Sequence, residues 1–423
     1  MAFSVIRLTK GLVRPAEETP STILDLSVID RLPALRCNAR TLHVFKHGPE
    51  AEIVISQALS KALVPYYPLA GRLKESNHGY LQVECSGDGV WFVEASAGCT
   101  LESVNYFDDV SKIPYDVLLP DQIPETENVE PLVQLQVTKF SCGGFVIGLI
   151  FCHSICDGLG AAQFLNAVGE LARALDNPSI TPVWHRHFFP TPPQQANAIA
   201  LPNLPPPIPN YRLQHTNIDI PLDHIHQLKQ KFQEVTKQSC SAFEIVAAGF
   251  WRNRTRSISF KENTQVKLVF FANCRHLLDP PLPKGFYGNC FFPVTITATC
   301  DFLMEATIVD VVKLIQEAKG KLPIEFGRYF KGEHLKDGNE DPFSPPLDYT
   351  TLFISEWGRL GFNQVDYQWG PPVHVVPIQG SSIIPVGIVG SLPLPNKGIR
   401  LMTWCVEEAH CQPFLDNMGK LSL

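Results

Sequence analysis

At 423 residues the chain exceeds what one hydrophobic core normally organises, which sets an expectation of two domains of about 200 residues each. Apolar side chains make up 45% and charged ones 18%, with 26 Phe, which excludes a disordered chain and calls for a large interior. A net charge of −7, from 42 acidic and 35 basic residues with no basic block, speaks against nucleic acid and anionic membrane as partners.

Val5–Val13 reads as a first strand, closed by Pro15 and a turn at Glu17-Glu-Thr-Pro20. Leu24–Asp30 leads to a short strand at Leu42–Phe45. Between Glu52 and Leu63 the residues Ile53, Ser56, Leu59 and Leu63 share a helix face that Ile55 and Ala62 widen, and Pro65 ends the helix. Gly79–Glu84 and Val90–Glu94 flank Cys85-Ser-Gly-Asp-Gly89 and are expected to pair as a hairpin on the Asp-Gly turn. Leu132–Phe140 alternates enough to pair, through Ser141–Gly144, with Phe145–Phe151, an apolar run with the pattern of a fully buried strand. A helix-like segment follows from Ala161 to Leu175.

From Asn177 to Pro209 proline recurs, ending in Pro205-Pro-Pro-Ile-Pro209, which rules out regular helix or central strand and marks a long crossover. The expected division is residues 1–177, a linker at 178–215, and 216–423, with a segment near 360–382 packing on the first domain. The second half opens with a strand at Thr216–Pro221 and a helix at Leu222–Val235 that places Ile225, Leu228 and Phe232 on one side. A helix at Glu244–Ser257 has Ser239 or Ser241 as N-cap, and Glu244 stands at capping-box distance from Ser241. Strands are expected at Val266–Ala272, Cys290–Thr297, Thr350–Ser355, Ile383–Val389 and Ile399–Val406. Helices are expected at Asp310–Leu322 and near Gln412–Met418, with an irregular loop at Asp337–Pro346. The 12 Cys are scattered, several inside apolar runs, as free thiols of a reducing compartment would be. No cleavable leader and no membrane-length apolar run is seen, so the cytosol is the expected location.

Chemistry concentrates where the buried strand ends. His153 and Asp157 appear there four positions apart, followed by Gly158, and polar groups at such a place are expensive unless paired or used. His153 is the candidate general base, since an imidazole titrates near working pH. Two plainer readings compete: a satisfied core histidine, or a metal site of Cys152, His153 and Cys156 that lacks a fourth ligand. Arg275 stands beside another strand end, and pairing with Asp157 would neutralise two charges that neither site could hold alone. Neither a Walker-type loop nor a dinucleotide-binding glycine motif is present, and Ser381-Ser382 lacks the Gly-x-Ser-x-Gly elbow of a nucleophile.

His153-Ser-Ile-Cys-Asp157-Gly158 together with Val365-Asp-Tyr-Gln-Trp-Gly370 resembles the paired His-x-x-x-Asp-Gly and Asp-Phe-Gly-Trp-Gly motifs of the plant BAHD acyltransferases, which use acyl-CoA. Tyr67-Pro-Leu-Ala-Gly-Arg-Leu73, Ser241-Ala-Phe-Glu244, Asn273-Cys-Arg275 and Tyr287-Gly-Asn289 extend the likeness over nearly the whole chain. Phe140–Gly160 and Arg359–Phe362 look most like the branch with taxane O-acetyltransferases and alcohol acyltransferases. The second motif departs from the pattern, with Tyr367 for Phe and Gln368 for the first Gly, so a local change of backbone is expected there.

The resemblance implies an α/β fold of two chloramphenicol-acetyltransferase-like domains, each a mixed sheet with flanking helices, and a solvent channel between them with His153 near its middle. It implies a monomer with no permanently bound cofactor and no metal, taking acyl-CoA, acetyl-CoA in the first place, as co-substrate and a bulky hydroxylated metabolite as acceptor. Aromatic acyl groups and N-acyl transfer are the alternatives, followed by a Ser/Cys hydrolase and a non-catalytic acyl-CoA-binding relative. By the same resemblance Asp157 supports His153 by pairing with Arg275, Ser355 and Trp357 are oxyanion donors, and Asp366, Trp369 and Gly370 are structural. Ser241, at the start of its helix, and Gly158 are the candidate CoA contacts.

Overall fold

The computed structural model describes residues 3–77, 79–121, 130–189, 211–333, 341–378 and 383–421. The described residues fold on two six-stranded mixed sheets and one small sheet. In the first large sheet the strands run in the order β1 (Val5–Val13), β6 (Val90–Ala97), β7 (Val133–Phe140), β8 (Phe145–Cys152), β3 (Asn38–Phe45) and β13 (His374–Pro377). Only the β6–β7 pair is parallel. In the second the order is β11 (Phe291–Thr299), β10 (Gln265–Asn273), β12 (Thr351–Glu356), β14 (Val386–Ser391), β15 (Gly398–Val406) and β9 (Gln214–Pro221), with β10, β12 and β14 mutually parallel. The small sheet holds β2 (Ile23–Asp25), β5 (Leu81–Glu84) and β4 (Arg72–Glu75).

Helices α1 (Ala51–Ala62) and α3 (Gly158–Ala172) cover one face of the first sheet, while α2 (Tyr115–Leu118) is a single turn. On α1 the buried face is Ile55, Ala58, Leu59 and Ala62; Ile53, expected on that face, is 46% exposed, so the apolar stripe is turned toward the residues that meet α3. The second sheet carries α4 (Leu222–Thr236), α5 (Ala242–Ser257), α6 (Cys300–Glu305), α7 (Ile308–Phe330) and α8 (Glu408–Gly419). A third apolar cluster joins the two sheets. Leu42, Val44 and Val146 of the first sheet meet Ile388 and Met402 of the second, so the bare faces of the two sheets look toward each other.

Two expectations fail for nonlocal reasons. The hairpin at Cys85–Gly89 does not form: β5 pairs with β4 and β2, whereas β6 pairs with β1 and β7. Gly89, at φ +102°, marks a change of sheet, because a Cβ there would lie 2.2 Å from the Val13 carbonyl oxygen. The helix expected to stop at Leu322 continues through Pro323 to Phe330. Phe326, Tyr329 and Phe330 are buried there, in contact with Phe292 and Phe343, and that burial outweighs the hydrogen bond lost at proline. Strand β13, within the segment near 360–382, has no strand reading from the sequence and pairs with β3 of the first sheet, His374 opposite Val44. The proline runs at 191–193 and 205–209, residues 337–340 of the expected loop, and Ser381-Ser382 lie outside the described residues.

Candidate active site

The loop from His153 to Asp157 joins β8 to α3, and both lobes hold it. From the first lobe, the His153 N–H donates to the Cys37 carbonyl at 2.9 Å and the Ser154 hydroxyl to the Leu35 carbonyl at 3.0 Å. From the second, the Asn289 amide donates to the His153 carbonyl at 2.8 Å. The ring itself is half-buried, 6.2 Å from Phe151. Its Nδ1 is buried with no hydrogen-bond partner, so Nε2 is the nitrogen left open between the lobes.

Asp157 meets four donors. Arg275 closes on it with both terminal nitrogens, Nη1 to Oδ2 at 2.9 Å and Nη2 to Oδ1 at 2.8 Å. Oδ1 also accepts the Gly160 N–H at 3.0 Å as the N-cap of α3, and Oδ2 the Cys290 N–H at 3.3 Å. A carboxylate offers about four lone-pair sites, and these are spent on structure, which leaves Asp157 no capacity to act as a base. Burial is the largest single influence on the Arg275 guanidinium and pulls it down, but the charge of Asp157, its hydrogen bonds and the other nearby acidic groups together hold Arg275 above its ordinary value. Gly158 follows as the first residue of α3, where a Cβ would strike Leu360 at 2.6 Å. The glycine therefore lets the segment bearing Trp357 lie against the helix start.

Two further residues, given no role from the sequence, sit behind this loop. Asp30 is fully buried and accepts from the Asn289 N–H at 3.0 Å, from its amide at 2.7 Å and from Arg186 Nε at 3.2 Å. Arg186 in turn donates to the Ile155 carbonyl, with its guanidinium 3.8 Å from the ring of Trp184 and 4.9 Å from that of Tyr287. The local signal was faint: an acid after the apolar Leu26-Ser-Val-Ile and an arginine between two histidines. In the fold Gly288 makes room for this arginine, since a Cβ there would lie 2.7 Å from Arg186 Cζ.

Ser355 lies near the end of β12 opposite Ile388, on the sheet face that looks toward the first lobe. Trp357 follows, its N–H bonded to the Val389 carbonyl at 2.8 Å and its ring stacked on Phe362 at 5.7 Å. Phe362 meets a second buried imidazole, His43, at 5.3 Å. His43 Nε2 lies 2.8 Å from the Thr41 hydroxyl, and burial lowers its pKa to about 3, so this ring stays neutral.

Ser241 forms the complete capping box: its hydroxyl accepts the Glu244 N–H at 3.2 Å and its N–H donates to the Glu244 carboxylate at 2.9 Å. Lys319 pairs with the other oxygen of that carboxylate. The hydroxyl proton of Ser241 remains available to a ligand. Phe243 contacts Phe270 at 5.4 Å, which puts this helix start near the carboxyl ends of the parallel strands.

The second motif lies elsewhere. Trp369 meets Phe145 edge-on at 5.9 Å and Tyr367 meets Phe45 at 5.5 Å. Phe145 begins β8, about 23 Å along the strand from the end that carries His153. Asp366 accepts the N–H groups of Gln368 at 2.8 Å and Gly370 at 2.9 Å, and Arg173 binds its carbonyl rather than its carboxylate. Gln368 takes φ +91°, in the left-handed region that favours glycine. Among the described residues no cluster of three His, Cys, Asp or Glu is placed to hold a metal, and no helix is long and apolar enough to cross a membrane.

A family profile described as "Transferase family" matches residues 3–402. The chain belongs to the BAHD acyltransferase family. Acyl transferase 4 of Oryza sativa subsp. japonica is 42% identical to this acyltransferase, over 99% of each chain. A myricetin 3-O-glucosyl 1,2-rhamnoside 6'-O-caffeoyltransferase of Crocosmia x crocosmiiflora is 36% identical, again over 99% of each. The crystal structure of F. sporotrichioides TRI101 complexed with coenzyme A and T-2 superposes with a TM-score of 0.72 at 13% identity, covering 93% of this acyltransferase and 97% of that chain, and so shares its fold.

Proposed function

We propose that this acyltransferase moves an acyl group from acyl-CoA to a hydroxyl of a small-molecule acceptor by direct transfer, with His153 as general base. The observation that carries the reading is His153, its backbone held from both lobes, with Nδ1 of its half-buried ring enclosed and Nε2 left accessible. Nε2 takes the proton of the acceptor hydroxyl as its oxygen attacks the thioester carbonyl. The tetrahedral intermediate collapses with loss of the CoA thiolate, which receives that proton from the imidazolium. The Ser355 hydroxyl and Trp357 indole N–H are the proposed donors to the oxyanion, each worth about 3 kcal/mol if aimed at the developing charge.

A covalent route through cysteine is disfavoured. Burial pushes the Cys152 thiol up to about 11 and Cys156 well above its ordinary value, so neither supplies thiolate at neutral pH. The Ser241 hydroxyl at the α5 terminus is the proposed contact for a CoA phosphate. Acetyl-CoA, the donor the sequence resemblance implies first, belongs in the panel beside aromatic acyl-CoA donors, the alternative it also implies. The deciding experiment offers a panel of acyl-CoA donors with pooled hydroxylated metabolites, reading free CoA and product mass for the wild type and for His153→Ala. Turnover is expected to fall by about 10²- to 10⁴-fold in the variant while CoA still binds. A His153→Ala enzyme with wild-type turnover, or an acyl-enzyme trapped in either protein, contradicts the reading.

A further inference from the structure

We propose that Phe271, with Phe291 beside it, is the surface that selects a ring-bearing acyl group over acetyl, an inference that rests on the acyl-transfer reading above. Registry places it. Phe270 pairs with Ile354 across β10 and β12, so Phe271 is the neighbour of Ser355 and points to the same face. On β11, Phe291 pairs with Asn273 and is therefore diagonal to Phe271; their rings meet edge-on at 5.3 Å with an interplanar angle of 80°. Asn289, two residues before Phe291, is the residue that holds the His153 carbonyl. The aromatic pair thus lies within a strand step or two of both the proposed base and the proposed oxyanion donor.

Its exposure is what points to a ligand. Val269, on the same face, is fully buried, yet Phe271 is 46% exposed. A lone exposed apolar residue on an outer surface needs no explanation. This one lies on the face that the second sheet turns toward the first, beside the site itself. Neighbouring strands stand about 4.8 Å apart. A ring carried on a two-carbon link spans about that distance from a thioester carbonyl near Ser355, and a ring attached directly brings its far edge toward the same place. A phenyl or hydroxyphenyl ring there completes an edge-to-face or offset-stacked arrangement with Phe271. A methyl group at the same carbonyl does not touch it.

The test uses the full-length enzyme with acetyl-CoA, benzoyl-CoA and a hydroxycinnamoyl-CoA, each with the same non-aromatic alcohol. The wild type is expected to favour the ring-bearing donors. In Phe271→Ala, and to a lesser degree in Phe271→Leu, which keeps an apolar side chain without a ring, the ratio of benzoyl to acetyl kcat/KM falls roughly tenfold through KM. An equal change for all three donors, or a wild type that prefers acetyl-CoA, overturns the proposal. Calorimetric titration of the same donors into the enzyme without acceptor separates the two readings. If no donor is turned over, the acyl-transfer reading fails, while a benzoyl-over-acetyl affinity that Phe271→Ala abolishes still upholds the ring site and its absence refutes it.

Discussion

Asp157 shows how a charged side chain can be needed for a reaction it does not take part in. Its side chain and that of Arg275 are 13% and 17% exposed, and the pair is bidentate, so each carries the desolvation of the other. Breaking such a buried pair by removing one partner costs about 3–5 kcal/mol, because the survivor is left charged and unpaired. Asp157→Ala is therefore expected to lower both the denaturation midpoint and the rate, while His153→Ala lowers the rate alone. Arg275→Ala should resemble Asp157→Ala, and the double variant should be far less destabilised than the sum of the two, a coupling that a double-mutant cycle in urea measures. Additive effects would mean that the contact contributes nothing. Ser355→Ala belongs at the same scale: if its hydroxyl meets only the transition state, kcat falls about 10²-fold with KM little changed. A change confined to KM would move Ser355 from the oxyanion to ground-state binding.

The turn at 366–370 is the element where this sequence departs from the motif it resembles. Asp366 gathers the Gln368 and Gly370 N–H groups, and both residues stand at positive φ, a conformation that favours glycine. The exposed Gln368 side chain is a local cost of about 1 kcal/mol or more. Gln368→Gly is expected to recover about 1 kcal/mol, seen as a raised denaturation midpoint with unchanged kcat/KM; a lowered midpoint would show that the glutamine side chain is itself stabilising. Local signals of this kind were legible before the fold was known. The apolar run that became β8 and the Ser241–Glu244 capping box are written in neighbouring residues. The strand partners of β5 and β6 are not, since an Asp-Gly between two strands fits a hairpin turn and a change of sheet equally well. The extension of α7 past Pro323 depends on rings contributed by β11 and by Phe343. Asp30 and Arg186 became visible only when the chain brought residues 156 apart into a buried ion pair.

At the scale of the molecule, polar contacts tie the two lobes together beside the apolar cluster they share. One set lies at the loop of His153. Another lies at Arg400 of β15, which holds Asp219 with two bonds, at 2.8 and 2.7 Å, and reaches Asp108 of the first lobe at 2.7 Å. His374 of β13 lies in this second junction: burial first, and the charge of Arg400 next, lower its pKa to about 4. With His43 at about 3, two imidazoles are neutral in the folded state at pH values where an unfolded chain, near 6.5, has begun to take up protons. The unfolded state then binds more protons, so stability is fully present above about pH 6.5 and falls as pH drops toward 4 and 3, by up to about 1.4 kcal/mol per unit for each histidine. Glu356 works in the opposite direction, because burial raises its carboxyl above the ordinary value and protonation there favours the folded state. The expected net result between pH 7 and 5 is a falling urea midpoint, and the slope should flatten when His43→Gln and His374→Gln are combined. An equally steep fall in the double variant would place the acid sensitivity in the carboxylates instead.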